Sequence, residues 1–162
     1  PIAVSDQATA ATTVVKDSPK SSGIALGKSD ASIEDNSPFM ARKLSKPIAG
    51  NITVAFGQMR DSVRNNGVLV IPAENTPVYS VSRGVVLFSG SLPGFGQIIV
   101  VDNGDNYTSV YSGVISKVAK GNSLAAGQQI ASSGNADNQP MGGVYFELRH
   151  LGKPVNPSKL FN

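Results

Sequence analysis

The segment GVYFELRH, residues 143–150, concentrates the side chains that are best suited to chemistry. A phenol, a carboxylate, a guanidinium and an imidazole follow one another as Tyr145, Glu147, Arg149 and His150. Successive side chains of a strand point to opposite faces, so the first three would share one face and His150 would lie on the other. The spacing therefore predicts a strand with one apolar face and one row of polar side chains that meets solvent or a partner.

A catalytic zinc ion is the first chemistry to test against these residues. Such a site needs about three protein ligands, usually including His or Cys, and an open position for the water molecule that it acidifies. The chain contains one histidine and no cysteine, and we expect His150 to be structural or solvent-exposed. A phenolate of Tyr145 would be a poor ligand at neutral pH, because the ordinary tyrosine pKa is about 10. We therefore expect neither a metal nor another cofactor.

Other catalytic classes also lack their residues. A serine hydrolase would depend on the same histidine, and the sequence has no G-x-S-x-G turn. A two-carboxylate glycosidase would have to draw its pair from a few acids, most of them in predicted turns. These acids are Asp61, Glu74, Asp102, Asp105, Asp137 and Glu147. No Lys/Arg run and no basic stretch interleaved with aromatics occurs, so nucleic-acid binding is disfavoured as well.

The elements that position these residues are predicted to be short strands. Gly (17 residues) and Pro (10 residues) are frequent and charged residues make up only 15%, which is typical of strands joined by tight turns. Apolar or alternating runs recur about every 8 to 12 residues, as in sandwiches and barrels. These runs cover residues 52–56, 67–71, 78–82, 85–90, 97–102, 107–112, 128–133 and 144–149. We predict an all-β domain, a small two-sheet or barrel-sandwich fold, with a hairpin at 97–112 that turns at NGDN.

The first part of the chain has a different composition. Ala, Ser, Thr, Lys and Asp dominate up to residue 37, and the first aromatic residue is Phe39. Such a segment buries too little apolar surface to offset the entropy lost on ordering. We predict that residues 1–46 are a flexible linker, disordered or regulatory, with a short helix near PFMARKL, and that residues 47–162 are the folded domain.

Charge and hydropathy limit which partners and which cellular compartment the sequence suits. Residues 1–37 carry three Lys and five acids, a sum of −2, whereas residues 38–162 carry eleven Lys or Arg and six acids, a sum of +5. A mildly basic domain suits an anionic partner such as a cell-wall polymer or an acidic protein surface. No apolar run reaches the roughly 18 to 20 residues of a membrane span, and the N-terminus lacks the pattern of a signal peptide. We expect a cytosolic chain or a processed fragment of an exported protein, with no membrane insertion by this fragment.

The sequence VYFELRHLGKPVNP, residues 144–157, resembles the end of the LytM/lysostaphin-type (M23-like) zinc endopeptidase domain, where members read H-x-H-F-E-[IL]-R and then G-x-x-V-[DN]-P. The segments FGQMR, PAENTPVYSVSRGVVLFSG, GFGQIIVVDNGDNYTSVYSGV and VAKGNSLAAGQQIASSG resemble further parts of that domain in the same order. The resemblance covers residues 47–161. It implies the fold of that family, a β-sandwich that is similar to a duplicated hybrid motif.

The chain departs from this family at every metal and catalytic position. The family's H-x-x-x-D motif falls on Asn65 and Leu69, its Y-x-H-L histidine on Gly113, and its H-x-H pair on Gly143 and Tyr145. The resemblance thus implies a degenerate peptidase domain, which is not an enzyme and has no metal site.

Among degenerate members, the tyrosine in VYFELR resembles that of EnvC-type murein hydrolase activators, which are described as periplasmic proteins that switch on cell-wall amidases at the division site. The resemblance implies a non-catalytic activator whose partner is an amidase, with peptidoglycan as a second candidate ligand, in an extracytoplasmic compartment of a bacterium. It places Leu69 and Tyr145 at the floor of the partner-binding groove and Arg149 on the same strand face, with Asn66, Phe95 and Tyr111 at the edges. The alternatives are a peptidoglycan-binding or scaffold module of an envelope complex and, third, a zinc endopeptidase of the cell wall.

Overall fold

The computed structural model describes residues 37–161, and this part of the chain is built almost entirely from strands joined by turns. The strands are β1 (Ile52–Val54), β2 (Met59–Arg60), β3 (Val63–Arg64), β4 (Val68–Val70), β5 (Pro77–Tyr79), β6 (Gly84–Leu92), β7 (Gly96–Gly104), β8 (Tyr107–Ser112), β9 (Val114–Ser116), β10 (Ser123–Leu124), β11 (Gln129–Ser133), β12 (Val144–His150) and β13 (Lys153–Val155). Two short 3₁₀ helices occupy Ala136–Asn138 and Ser158–Phe161. No helix in the described part of the chain is long and apolar enough to cross a membrane. The prediction of an all-β fold is confirmed.

The predicted strands correspond closely to the observed ones. Each of the eight apolar or alternating runs contains a strand, and the ends differ by a few residues at most. The strands that the sequence did not reveal are β2, β3, β9, β10 and β13, each only two or three residues long. Strands β1, β4 and β5 are as short, but each overlaps an apolar or alternating run of five residues in the sequence. The missed strands overlap no such run, so the signal that reveals a strand is absent.

Most of the strands form one large antiparallel sheet in the order β1-β4-β12-β8-β7-β6-β10, with β13 also paired to β12. A smaller sheet has the order β5-β11-β9, and β2 and β3 form a separate two-stranded hairpin. Strand β12 pairs with β4, β8 and β13, so its backbone is held on both sides. The segment that carries the candidate chemistry is therefore among the best fixed in the sheet.

The hairpin predicted at residues 97–112 is formed by β7 and β8. The two residues between these strands, Asp105 and Asn106, have φ angles of 53° and 66°. Two consecutive left-handed residues make the turn whose twist matches that of the paired strands, and Asp and Asn tolerate this conformation better than most residues. The prediction of a tight turn at NGDN is confirmed.

The main core lies on one face of the large sheet. Val144, Phe146 and Leu148 of β12 all point into it, as the alternation predicts. The ring of Phe146 makes edge contacts with Tyr111 and Phe161, at centroid distances of 5.2 Å and 5.9 Å. Burial of these side chains removes apolar surface from water, which is the main favourable contribution to folding.

Residues 37–46 pack onto this core, although their composition assigned them to the linker. Phe39 is fully buried and stacks on Tyr107 at a centroid distance of 4.3 Å. Tyr107 in turn stacks on His150 at 4.2 Å, so the single histidine closes an aromatic column on the side of β12 away from Tyr145. The packed part of the chain thus begins before Pro47, and the part of the predicted linker that precedes residue 37 lies outside the described residues.

Arg42 fastens the same segment to the β7–β8 hairpin. Its guanidinium donates to the Asn103 carbonyl and forms an ion pair with Asp105 at 2.5 Å. The residues around it form a turn, and the helix predicted near PFMARKL is wrong. A helix of that length cannot offset the cost of its own nucleation, and here the inward position of Phe39 decides the local backbone.

We expect Phe39→Ala to lower the free energy of unfolding by about 3 to 5 kcal/mol, because it leaves a cavity between the segment and Tyr107. Chemical denaturation of the full chain measures this loss. The matched control is Phe88→Ala, since Phe88 is 37% exposed on the opposite face of the sheet and should cost much less. Equal stabilities for the two variants would contradict the assignment of Phe39 to the core.

Candidate functional site

Leu69 and Tyr145 face each other across strands β4 and β12, on the side of the large sheet away from the main core. They are 3% and 5% exposed and pack with Val54 of β1 and the partly buried Met141. We call these four residues the Leu69–Tyr145 cluster, and the side of the sheet that carries them the outer face. The two residues predicted to form the groove floor are therefore in contact. They are more deeply buried than the solvent-facing row that the sequence predicted.

A chain of polar contacts runs along β12 from this cluster. Tyr145 Oη donates to Glu147 Oε1 at 2.6 Å, and the other carboxylate oxygen of Glu147 forms an ion pair with Arg149. A second nitrogen of Arg149 donates to the Gly152 carbonyl at 2.6 Å. Desolvation, and after it the charge of Glu147, raises the pKa of Tyr145 well above its ordinary value. The phenol is therefore held protonated, as a hydrogen-bond donor and not as a phenolate ligand.

Asn65 is buried and binds the backbone around the cluster. Its side-chain nitrogen donates to the carbonyls of Ala55 at 3.0 Å and Gly67 at 2.7 Å, which ties the end of β3 to the chain after β1. The ring of Tyr145 lies against Gly67, since a Cβ atom there would be 2.9 Å from Tyr145 Oη. A buried amide that loses such partners destabilises the fold, so the role of Asn65 is structural. Its neighbour Asn66 is exposed.

Gly113 and Gly143 lie side by side and leave no room for a side chain. A Cβ atom on Gly113 would come within 2.5 Å of the Gly143 carbonyl oxygen, and one on Gly143 within 2.5 Å of the Val70 carbonyl oxygen. Gly113 also has a φ angle of 81°, in the left-handed region that favours glycine. A histidine at either position would require the backbone to move.

The positions that correspond to the family's metal ligands and catalytic groups converge, but their residues do not fit a zinc ion. Two have no side chain, one is aliphatic, one is an amide that binds the backbone, and one is a protonated phenol. They are Gly113, Gly143, Leu69, Asn65 and Tyr145. Across residues 37–161, apart from the side chain of Ala136, no group of three or more His, Cys, Asp or Glu residues could hold a metal. The donor set offers no route to a metal-activated water molecule.

Phe95 and Tyr111, both predicted at the groove edge, lie in different places. Phe95 is 42% exposed in the turn between β6 and β7, and its carbonyl accepts a hydrogen bond from Ser112 Oγ at 2.7 Å. Because Ser112 pairs with Tyr145, this contact holds Phe95 at the edge of the outer face. Tyr111, predicted at the same edge, lies instead fully buried in the main core, since its partner across the sheet is Phe146. The placement of Tyr111 at the groove edge is wrong because the register directs its ring to the other face.

Sequence reasoning missed several apolar residues of the outer face. Glu147 lies opposite Val110, Val110 opposite Val100, and Val100 opposite Phe88. The two valines are half-buried and Phe88 is 37% exposed, so this row continues the outer face across four strands. A signal was present in the run QIIVVD, where apolar residues occupy both alternating faces of one strand.

A sequence model of peptidase family M23 matches residues 63–157. Murein hydrolase activator EnvC of Escherichia coli is 32% identical over 113 residues, which are 68% of this chain and 27% of EnvC. Murein hydrolase activator NlpD of the same organism is 28% identical over 113 residues, which are 68% of this chain and 29% of NlpD. The chain therefore spans less than a third of the length of either relative.

The fold is also similar to a solved structure, the antimicrobial peptidase lysostaphin from Staphylococcus simulans. The TM-score is 0.62 at 20% sequence identity, and the match covers 73% of this chain and 53% of lysostaphin. At this identity the likeness shows the fold alone, and it agrees with the all-β architecture. With the family match over more than half of its length, the resemblance inferred from sequence is confirmed, and this chain belongs to peptidase family M23, the family of LytM domains.

Proposed function

We propose that this chain acts without catalysis, as an activator of N-acetylmuramoyl-L-alanine amidases in bacterial cell-wall remodelling and cell division. The observation that carries the proposal is the packing of Leu69 against Tyr145 in the Leu69–Tyr145 cluster, since both residues stand where the family's enzymes carry ligands or catalytic groups. The names of the relatives EnvC and NlpD, both murein hydrolase activators, support such a role in general terms. The partner is then an amidase, and the contact surface is the outer face.

The state of the polar groups supports a role without catalysis. Hydrolysis by this fold would require a ligated metal or a free general base beside it. Glu147 is the carboxylate nearest to the cluster along β12, and it is already engaged by Tyr145 and Arg149. We therefore describe the domain as a degenerate peptidase that retains the groove and has lost the chemistry.

The outer face has the composition of a protein-binding surface. Phe88 and Phe95 are 37% and 42% exposed, and the Arg149 side chain, at the far end of β12 from Phe95, is 35% exposed. Aromatic residues and arginine supply most of the energy in protein interfaces, and here strand pairing holds them in place before binding. An amidase segment with an apolar face fits such a surface.

The proposed activity places the protein outside the cytoplasm, in the periplasm or a similar compartment, because that is where murein is found.

A second candidate function is that of a peptidoglycan-binding or scaffold module that activates no enzyme. The charge of +5 on residues 38–162 favours this function, since a basic domain attracts an anionic wall polymer. Zinc endopeptidase activity is the third candidate and conflicts with the donor set.

We expect the double variant Phe88→Ala/Phe95→Ala to bind an amidase about 5- to 150-fold more weakly, which corresponds to about 1 to 3 kcal/mol for a hot-spot aromatic residue. Calorimetric titration with the purified amidase measures the affinity, and dye release from labelled murein measures activation. Ile115→Ala is the matched control, because Ile115 is 46% exposed on the smaller sheet. Thermal melts of all variants separate lost binding from lost stability.

The same assay separates the two leading functions. An activator raises the rate of dye release by the amidase, whereas a pure wall-binding module sediments with murein and leaves the rate unchanged. Wild-type activation by the double variant, with unchanged melts, would exclude the outer face as the amidase contact.

Restoring the H-x-H pair by Gly143→His and Tyr145→His should not create a zinc site, because Leu69 and Gly113 still provide no ligands. We expect the change to lower the free energy of unfolding by about 1 to 3 kcal/mol, since a Cβ at position 143 overpacks against the Val70 carbonyl. Elemental analysis and denaturation after purification in zinc test both points, with Gly143→Ala as the control for the steric term. About one zinc ion per chain in the wild type would contradict the degenerate assignment, and the same content in the variant would contradict the prediction that no site forms.

A further inference from the structure

A cleft of about 280 Å³ opens beyond the end of the Leu69–Tyr145 cluster. Its lining includes Ile71, Pro72, Glu74, Asn135, Gln139 and Gly142. It continues the outer face, because Ile71 follows β4 and packs over Gly143, where a Cβ atom would be 3.2 Å from Ile71 Cγ1. Gln139 closes the inner end by donating to the Gly113 carbonyl at 3.3 Å. The cleft and the outer face are thus one continuous surface.

The charge of the cleft differs from that of the chain as a whole. Glu74 is exposed on its wall, and within the described part of the chain its carboxylate has no ion-pair or hydrogen-bond partner. Among the described residues, no lysine or arginine lines the cleft. By contrast, Glu147 and Arg149 at the other end of β12 neutralise each other. Although the net charge of the chain is +3, an unpaired negative charge on the wall of the cleft favours a cationic ligand there.

The shape of the cleft restricts that cation further. Ile71 and Pro72 provide apolar walls, and Glu74 provides the polar end. The volume lies below the roughly 300 to 1,000 Å³ of sites that hold drug-sized ligands, so it suits a single side chain. A lysine combines an apolar four-carbon stem with a compact terminal charge, and such side chains pack their stems on apolar surface while the ammonium remains polar.

We propose that the cleft accepts a lysine side chain of the partner segment that lies on the outer face, which rests on the proposed amidase-binding function. The lysine then enters at the Gly143 end of β12, close to Phe95, whereas Phe88 lies in the row of Glu147, farther along the strand toward Arg149. Residues 143 and 149 are about 20 Å apart along a strand, so the two ends of the partner segment are distinguished by charge. The cleft therefore fixes the direction in which the segment binds.

The first test needs no partner protein. The full chain is titrated with Nα-acetyl-lysine N-methylamide, and with the norleucine analogue that has the apolar stem without the charge, while backbone amide shifts are recorded. We expect the lysine amide to shift the amides of Asn135 and Gly142 and to bind about two- to fivefold more tightly than the norleucine amide, as for one exposed ion pair. The difference should disappear in Glu74→Gln and in high salt, and persist in Asp61→Asn, an exposed carboxylate in the β2–β3 turn that does not line the cleft. Equal binding of the two amides, or an unchanged preference in Glu74→Gln, would overturn the proposal.

The second test uses a purified N-acetylmuramoyl-L-alanine amidase and the charge-reversed variant Glu74→Lys. We expect its affinity for the amidase to fall by about tenfold or more, because it sets two like charges together, whereas Asp61→Lys, in the β2–β3 turn, should bind as the wild type does. Equal losses in the two variants would indicate a general charge effect and would overturn the proposal. A wild-type chain that discriminates the lysine amide but binds no amidase would refute the activator role and leave the lysine specificity of the cleft supported.

Discussion

The pairing of strand β12 with β4, β8 and β13 is the constraint on which the rest of the structure depends. Its alternation sends Val144, Phe146 and Leu148 into the main core and leaves Tyr145 and Glu147 on the outer face. A shift of register by one residue would exchange the two sets and bury a carboxylate among apolar side chains. Core packing therefore decides where the candidate site stands, although none of the core side chains belongs to that site.

The outer face shows how positions that hold a metal in some members of a family can serve packing in another. Gly113 and Gly143 allow neighbouring backbones to approach so closely that no side chain fits between them. Leu69 and Tyr145 then bury apolar surface, for which about 1.5 to 3 kcal/mol per side chain is typical. The hydroxyl of Tyr145 keeps a partner in Glu147, so its burial leaves no polar group unsatisfied. Apolar burial thus provides at this site the cohesion that ligands and metal would otherwise supply.

The two faces of the large sheet also differ in what the chain itself provides to cover them. Phe39 and Phe161, from the two ends of the described chain, close the core face. On the outer face Phe88 and Phe95 keep more than a third of their surface exposed. Exposed aromatic rings that strand pairing has already ordered lose little entropy on binding, which is the property that a docking surface needs. The proposed function rests on this asymmetry rather than on any single reactive group.

The sequence by itself determined the all-β class, the strands within the eight apolar runs, the hairpin at residues 97–112 and the absence of metal donors at the family's ligand positions, because these follow from alternation, turn chemistry and residue identity. Only the tertiary structure decided that Tyr111 enters the core, since that depends on cross-strand register. It also decided that Phe39 belongs to the domain, because its stack on Tyr107 joins residues far apart in the chain. The cleft beside Glu74 also depends on tertiary structure, because its walls come from separate loops that strand pairing brings together. No local sequence pattern predicts it.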